Sequence, residues 1–346
     1  MSKKLLIYPF SEDKAELIRN KNATSYDAII PTASKWMGIC ERDVAFCDNK
    51  EQTGIVIKEP SEDLISTVDD ILLLYDKNVD LSRYNSIFED AAKSEKHLII
   101  EDKLYRMLDL KAKCSVLKRS DERKPQNFNV DNLMNIPVPI IAIMGIGIRT
   151  DKFGTLISAK DKLEKDGYKV LAIGSKEYSE LFGMESLPEF MFENISVDKK
   201  VLRLNYHIYE LYHEQRPDVI LLEVPGEIMK VSPMSYEGCG ELAYIASNAL
   251  KIDVALLNLY YGEYTDTFIE NMEKMMNYRF NIPTIYFGIS NTICYYSPED
   301  KKTVYAQVPP EKTKFEGYDN RFFLTGNKAG IEAVISDITE QLSNNI

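Results

Sequence analysis

Short apolar runs alternate with charged, helix-patterned stretches along the whole chain. In the first third, KLLIYPF, YDAIIPTAS, TGIVIKE, DDILLLY and KHLIIED are runs of strand length bounded by polar residues, the signature of buried strands. Between them, residues 11–22, 61–69 and 83–95 carry charge-rich helical spacing. Such alternation builds an α/β domain around a largely parallel sheet.

Residues 115–139 break the pattern. SVLKRSDERKPQNFNVDNLMNIPVP has little apolar periodicity and contains three prolines, so it reads as a connection between domains. The expected domains are 1–125 and 126–346. The second gives a fuller series, with strands in PIIAIMG, YKVLAIGS, PDVILLEVPG, IDVALLNLY and IPTIYFGIS and helices over 152–166, 199–215, 238–250, 266–280 and 327–343. That order predicts a doubly wound, mostly parallel sheet whose ligands sit at the carboxyl ends of its strands.

Composition narrows the function classes. The 346 residues are 45% hydrophobic and 28% charged, as in an ordinary globular protein with room for two cores. The net charge is −12, and acidic residues break up the most basic window, Lys111–Lys124. Nucleic acid is therefore not an expected partner, and the window reads as a solvated linker. Cysteines at 40, 47, 114, 239 and 294 form no C-x-x-C pair, which points away from zinc and disulfide frameworks. No apolar stretch approaches membrane-spanning length, and the apolar part of MSKKLLIYPF is too short for a signal peptide. The expected setting is the cytoplasm, without a membrane partner.

The candidate chemistry begins where the strand PIIAIMG meets the helix starting at Lys152. A phosphate loop aims backbone N–H groups and a helix N-terminus at an anion, and a lysine adds charge. Gly145 and Gly147 are the permissive positions, and Lys152 stands seven residues after Gly145. That is one residue longer than the usual G-x-x-x-x-G-K-[ST] spacing. It fits the longer G-T-x-x-x-x-G-K-T form, with two departures. Asp151 replaces the glycine beside the lysine, and Phe153 replaces the magnesium-binding hydroxyl. Asp151 adds a negative charge that Arg149 or a metal would have to offset. Thr155, about a turn further on, does not take the missing hydroxyl's place. The second element is PDVILLEVPG, where Glu223 ends a buried strand and Gly226 follows three residues later. There a carboxylate sits beside magnesium and a glycine N–H faces the terminal phosphate. The candidate nucleotide site is thus Gly145, Gly147, Arg149, Thr150, Asp151, Lys152, Glu223 and Gly226, with Glu223 and Asp151 as candidate metal ligands.

Residues 140–330 resemble the phosphate-loop class that contains dethiobiotin synthetase and the nitrogenase iron protein. The combination GIGIRTDKFGT, GYKVLAIGSKEYSELFGMESLPEFMF and RPDVILLEVPGEI resembles the peptide maturation system proteins of natural-product gene clusters. In that family a G-x-G-x-R-x-D/N-K-F loop makes Asp151 and Phe153 family features. The resemblance implies an accessory role in maturing a ribosomally made peptide. A precursor peptide, its modifying enzyme or a second copy of the chain would be the partner. ATP or another nucleotide with magnesium, or no cofactor at all, would accompany it.

Other residues carry weaker signals. Tyr178, Phe182, Phe190 and Phe192 suit either a core or a peptide-receiving surface. Trp36, the only tryptophan, reads as a core anchor. Cys239 lies between two glycines at a helix entry, where a bystander thiol outweighs a nucleophile. His207 and His213 are six residues apart and do not share a helix face as metal ligands do. Asn258 and Asn291 follow sheet strands, where either a turn or a base contact is served. Two readings stand: a binding module with a degenerate loop, or an ATP-dependent enzyme of the dethiobiotin synthetase-like class.

Overall fold

The computed structural model describes residues 3–108, 114–124, 132–230, 232–234, 240–309 and 319–344. The chain forms two compact units, Met1–Lys118 with Glu180–Gly183 and Arg119–Ser179 with Met184–Ile346. The expected boundary at 125/126 lies outside the described residues.

The first unit is built on strands β1 (Lys4–Tyr8), β2 (Ala28–Pro31), β3 (Asp70–Leu73), β4 (His97–Glu101) and β5 (Ser115–Leu117). They pair in the order β2-β1-β3-β4-β5, all parallel. Its helices are α1 (Ala15–Arg19), α2 (Ala45–Asp48), α3 (Glu62–Ser66), α4 (Leu81–Lys93) and α5 (Asp102–Leu108). Leu6, Tyr8, Ile71, Leu73, Leu98 and Ile100 from the strands pack with Tyr84, Ile87 and Ala91 of α4. Three readings need correction. TGIVIKE is not a strand; only Val56 and Lys58 make isolated bridges there. Ser115–Leu117, placed in the connection, is the fifth strand. Trp36 is 55% exposed and anchors no core.

The second unit carries β6 (Ile140–Gly145), β7 (Val170–Gly174), β8 (Glu185–Ser186), β9 (Val219–Glu223), β10 (Val254–Leu259) and β11 (Thr284–Ile289). A hairpin, β12 (Thr292–Ser297) and β13 (Lys302–Gln307), and a last strand β14 (Phe322–Leu324) follow. The main sheet runs β14-β11-β10-β6-β9-β7-β8 and is parallel throughout. Its helices are α6 (Lys152–Lys165), α7 (Val197–Gln215), α8 (Glu241–Ala249), α9 (Asp266–Phe280) and α10 (Lys328–Asn344). One face packs α7, α8 and α9 through Leu204, Ile208, Ala246, Met276 and Phe280 onto Ile140, Ala142, Leu222 and Leu257. On the other, α6 packs onto β7, β9 and α10. The second unit therefore folds as a doubly wound parallel sheet with helices on both faces.

The segment after β5 is no solvated linker. Arg119 Nη1 donates to the carbonyl of Ser175, and Ser120 and Ser186 exchange N–H···Oγ hydrogen bonds. Arg203 clamps Glu122 through two contacts. This charged strap satisfies the open edge that the two-residue strand β8 would otherwise present. The hairpin β12–β13, the strands β8 and β14 and the short α2 were not read from the sequence.

Candidate phosphate-binding site

Topology puts the loop where a ligand belongs. After β6 the chain winds to β7 on one side, and after β9 it crosses to β10 on the other. The carboxyl end of β6 is therefore a switch point. Register sets Asn258 of β10 opposite Gly145. It also sets Glu223 of β9 opposite Ile143. Candidates from three strands converge because their positions share one sheet end.

Residues 146–151 connect β6 to α6, and their backbone is held both by distant side chains and by local ones. Gly147 O accepts from Thr150 Oγ1 and Lys152 Nζ, each at 3.2 Å. Ile148 O accepts from the Tyr260 hydroxyl at 3.0 Å, and Arg149 O from the Thr292 hydroxyl at 2.8 Å. Thr150 O accepts from Asn258 Nδ2 at 2.8 Å. Asp151 O accepts from Thr155 Oγ1 at 2.9 Å and from Thr155 N–H at 3.1 Å. Every carbonyl from Gly147 to Asp151 thus has a partner. Across a trans peptide the next N–H points the opposite way, so each held carbonyl also fixes the orientation of the amide that follows it. Positive φ at Arg149 (60°) and Asp151 (61°) bends the chain into the concave form in which successive amides gather around an anion.

Two glycines are required by contacts. A Cβ on Gly145 would lie 2.4 Å from Thr150 Oγ1 and 2.7 Å from Gly147 O. A Cβ on Gly147 would lie 1.9 Å from the Tyr260 hydroxyl oxygen. Both are closer than real side chains approach, so glycine here lets the anchors reach the backbone.

Lys152 is buried at 7% exposure. Its amine donates to Gly226 O at 2.7 Å and to Gly147 O at 3.2 Å, linking the loop after β6 to the loop after β9. Gly226 has φ 79°. Burial pulls the Lys152 ammonium down to about 8, against the charges of Glu223 and Glu227 and aided by that of Lys176. Glu223 is 3% exposed, and its Oε2 accepts from Ser175 N–H at 2.7 Å. The Arg149 guanidinium stands over the Tyr305 ring at 5.1 Å. Asp151 occupies the N-cap position of α6 without a capping bond from its side chain.

The side-chain oxygens that could turn to a magnesium ion are replaced or engaged at three positions. Phe153 offers no oxygen; its ring packs edge-on against Tyr178 at 5.5 Å. The Thr155 hydroxyl donates to Asp151 O and accepts from Asn258 Nδ2 at 3.0 Å. One Glu223 oxygen is taken by Ser175. Among the described residues no group of three or more His, Cys, Asp or Glu could hold a metal ion.

The structure settles several other candidates. Asn258 is fully buried and shapes the loop, so it is no base contact. Asn291 bonds Val308 through backbone and side chain. Tyr178, Phe182 and Phe190 are 5%, 2% and 2% exposed. They are core and offer no peptide surface; only Phe192 is open, beneath the Arg119 guanidinium at 4.1 Å. His207 is fully buried and accepts from Arg123 N–H at 3.1 Å, and burial holds its ring near a pKa of about 4. Cys239 lies outside the described residues. Tyr260 and Thr292 were missed because nothing in their spacing marks them. Asn258 did leave a signal, as the one polar residue inside VALLNL.

Neither a protein-family model nor a curated protein matches the chain. Among solved structures, it is similar to a DUF1611 family protein from Anabaena variabilis at a TM-score of 0.52 and 11% identity, over 83% of this chain and 87% of that one. This likeness is one of fold. A pseudomurein peptide ligase type C from Methanothermus fervidus gives a TM-score of 0.26 at 13% identity, over 84% of this chain and 44% of that one. Chloroplast FtsY from Physcomitrella patens gives 0.29 at 15% identity, over 47% and 53%.

Proposed function

We propose that the second unit binds the phosphate groups of a nucleotide at residues 145–152 and serves as a nucleotide-dependent binding module with little hydrolysis of its own. The anchoring of every carbonyl from Gly147 to Asp151 carries this reading. With the carbonyls so engaged, the intervening amides would gather beside the N-terminus of α6, where the helix's first N–H groups lack intrahelical partners. Lys152 supplies the charge by leaving its two carbonyl partners for a phosphate oxygen. The thin oxygen set around Phe153, Thr155 and Glu223 argues against magnesium-assisted phosphoryl transfer.

The peptide-maturation role rests on the loop's resemblance to that protein family. In it, a precursor peptide or its modifying enzyme is the partner that the nucleotide-bound form would hold. Calorimetric titration with ATP and GTP, with and without magnesium, tests the core of the reading. Binding that changes little on magnesium removal supports it, and no binding of either nucleotide sinks it. Brisk magnesium-dependent turnover would put the ATP-dependent enzyme in its place.

A further inference from the structure

The first unit holds a separate constellation at the amino ends of its strands. Asp70 opens β3, His97 opens β4 and Ser115 opens β5, and these three strands are neighbours in the sheet. Register places Asp70 beside His97, and Ser115 beside Ile99. The His97 ring then spans the gap, with Nδ1 3.1 Å from Asp70 Oδ1 and Nε2 2.8 Å from Ser115 Oγ.

The carboxylate end is firmly held. Asp70 is 5% exposed, and its Oδ2 accepts from the Tyr26 hydroxyl at 2.6 Å and pairs with Lys3 Nζ at 2.9 Å. Burial alone would raise the Asp70 carboxyl, but hydrogen bonds from Tyr26, Lys3 and His97 hold it below its ordinary value. In the tautomer that donates Nδ1–H to an ionised Asp70, the Nε2 lone pair of His97 faces the Ser115 hydroxyl. A lone His–Ser contact on a surface would mean little. The order buried carboxylate, imidazole, exposed serine is the arrangement that activates a hydroxyl, and it is recognised by geometry on any fold.

We propose that Ser115 is a nucleophile activated by His97, with Asp70 as the positioning residue, and that it accepts the acyl group of small esters with good leaving groups. Ser115 and His97 are open to solvent, so the acyl donor reaches them freely and must supply much of its own reactivity. Ser115 Oγ bonds to the ester carbonyl carbon while its proton passes to His97 Nε2. The ester C–O bond then breaks, and that proton leaves with the alcohol. Water deprotonated by the same imidazole displaces the acyl group as a carboxylic acid and restores the serine.

The full-length chain is treated with diisopropyl fluorophosphate, which forms a serine O–P bond as the P–F bond breaks, and labelled peptides are located by mass spectrometry. p-Nitrophenyl acetate hydrolysis is followed alongside. Label is expected on Ser115, with hydrolysis lost in Ser115→Ala. His97→Gln should slow both by about 100-fold, the scale of a lost general base. Asp70→Asn should slow labelling and also remove the Nδ1–H resonance of His97, which a purely structural role would not predict. If Asp70→Asn fails to fold, the two exposed substitutions decide alone. An unlabelled Ser115 in folded protein, or labelling as fast in His97→Gln, overturns the proposal.

Discussion

The Lys152 amine sits 2.7 Å from the carbonyl oxygen of Gly226, so the loop's own lysine joins the carboxyl ends of β6 and β9. A phosphate must replace that contact, and the gain is the difference between a charged and a neutral acceptor. Lys152→Ala is expected to weaken nucleotide binding by about 1–3 kcal/mol, the scale of a charge-assisted hydrogen bond. Calorimetry on the folded variant checks this. Unchanged affinity would place the nucleotide elsewhere.

The pH dependence follows from the same amine. Its value falls from 10.5 to about 8 on folding, so between those limits the unfolded chain binds more protons. Below about pH 8 the full cost of burying the charge is present, and it is lost as pH rises toward 10.5. This group's contribution to stability therefore rises across that window. A bound phosphate favours the ammonium, so binding above pH 8 should take up a proton and weaken as pH rises. Titrations at pH 6.5 and 8.5, in buffers of different ionisation enthalpy, read the uptake directly. Equal proton uptake at the two values would contradict the assignment.

Asn258 donates to Thr150 O and Thr155 Oγ1, while its own Oδ1 has no hydrogen-bond partner among the described residues. The side chain is thus kept for its donors. Asn258→Ala should leave Thr150 O buried and unpaired, at a cost of about 1–3 kcal/mol in stability. Nucleotide affinity should fall with it. A denaturant midpoint matching the parent chain would show that the loop holds its shape unaided.

The main elements of the second sheet were legible because each strand is buried on both faces and reads as one apolar run. Helix α9 was placed at both ends, since Thr265 caps it by accepting from Phe268 N–H. The hairpin β12–β13 escaped because its pattern is neither apolar nor cleanly alternating. In the site, Gly145, Gly147 and Lys152 showed themselves through spacing. Tyr260 and Thr292 did not, because a side chain that holds a distant carbonyl obeys no local period.

Glu223 has a charge that raises the Lys152 value, and one of its oxygens is engaged by Ser175. Glu223→Gln should therefore shift the midpoint of proton uptake to lower pH. It should hardly alter ATP hydrolysis, which is expected to be slow or absent in the isolated protein. Malachite-green phosphate release with and without magnesium gives the rate, and buffer-dependent calorimetry gives the midpoint. A brisk rate abolished by this substitution would make Glu223 a metal-orienting residue.

Gly147→Ala should collapse the site without unfolding the sheet, because a methyl cannot coexist with a hydroxyl oxygen 1.9 Å away. Nucleotide binding should disappear while the far-UV circular dichroism spectrum is kept. Retained affinity would mean that Tyr260 yields without cost.

The partners that hold the carbonyls of Ile148, Arg149 and Thr150 come from Tyr260, Thr292 and Asn258, more than a hundred positions further along the chain. The phosphate loop is therefore not portable. Grafted onto another strand–helix junction, residues 136–174 would carry the glycines and the lysine but not the three distant side chains that hold the middle of the loop. A nascent chain released before Thr292 emerges would likewise leave its oldest binding element waiting on its newest.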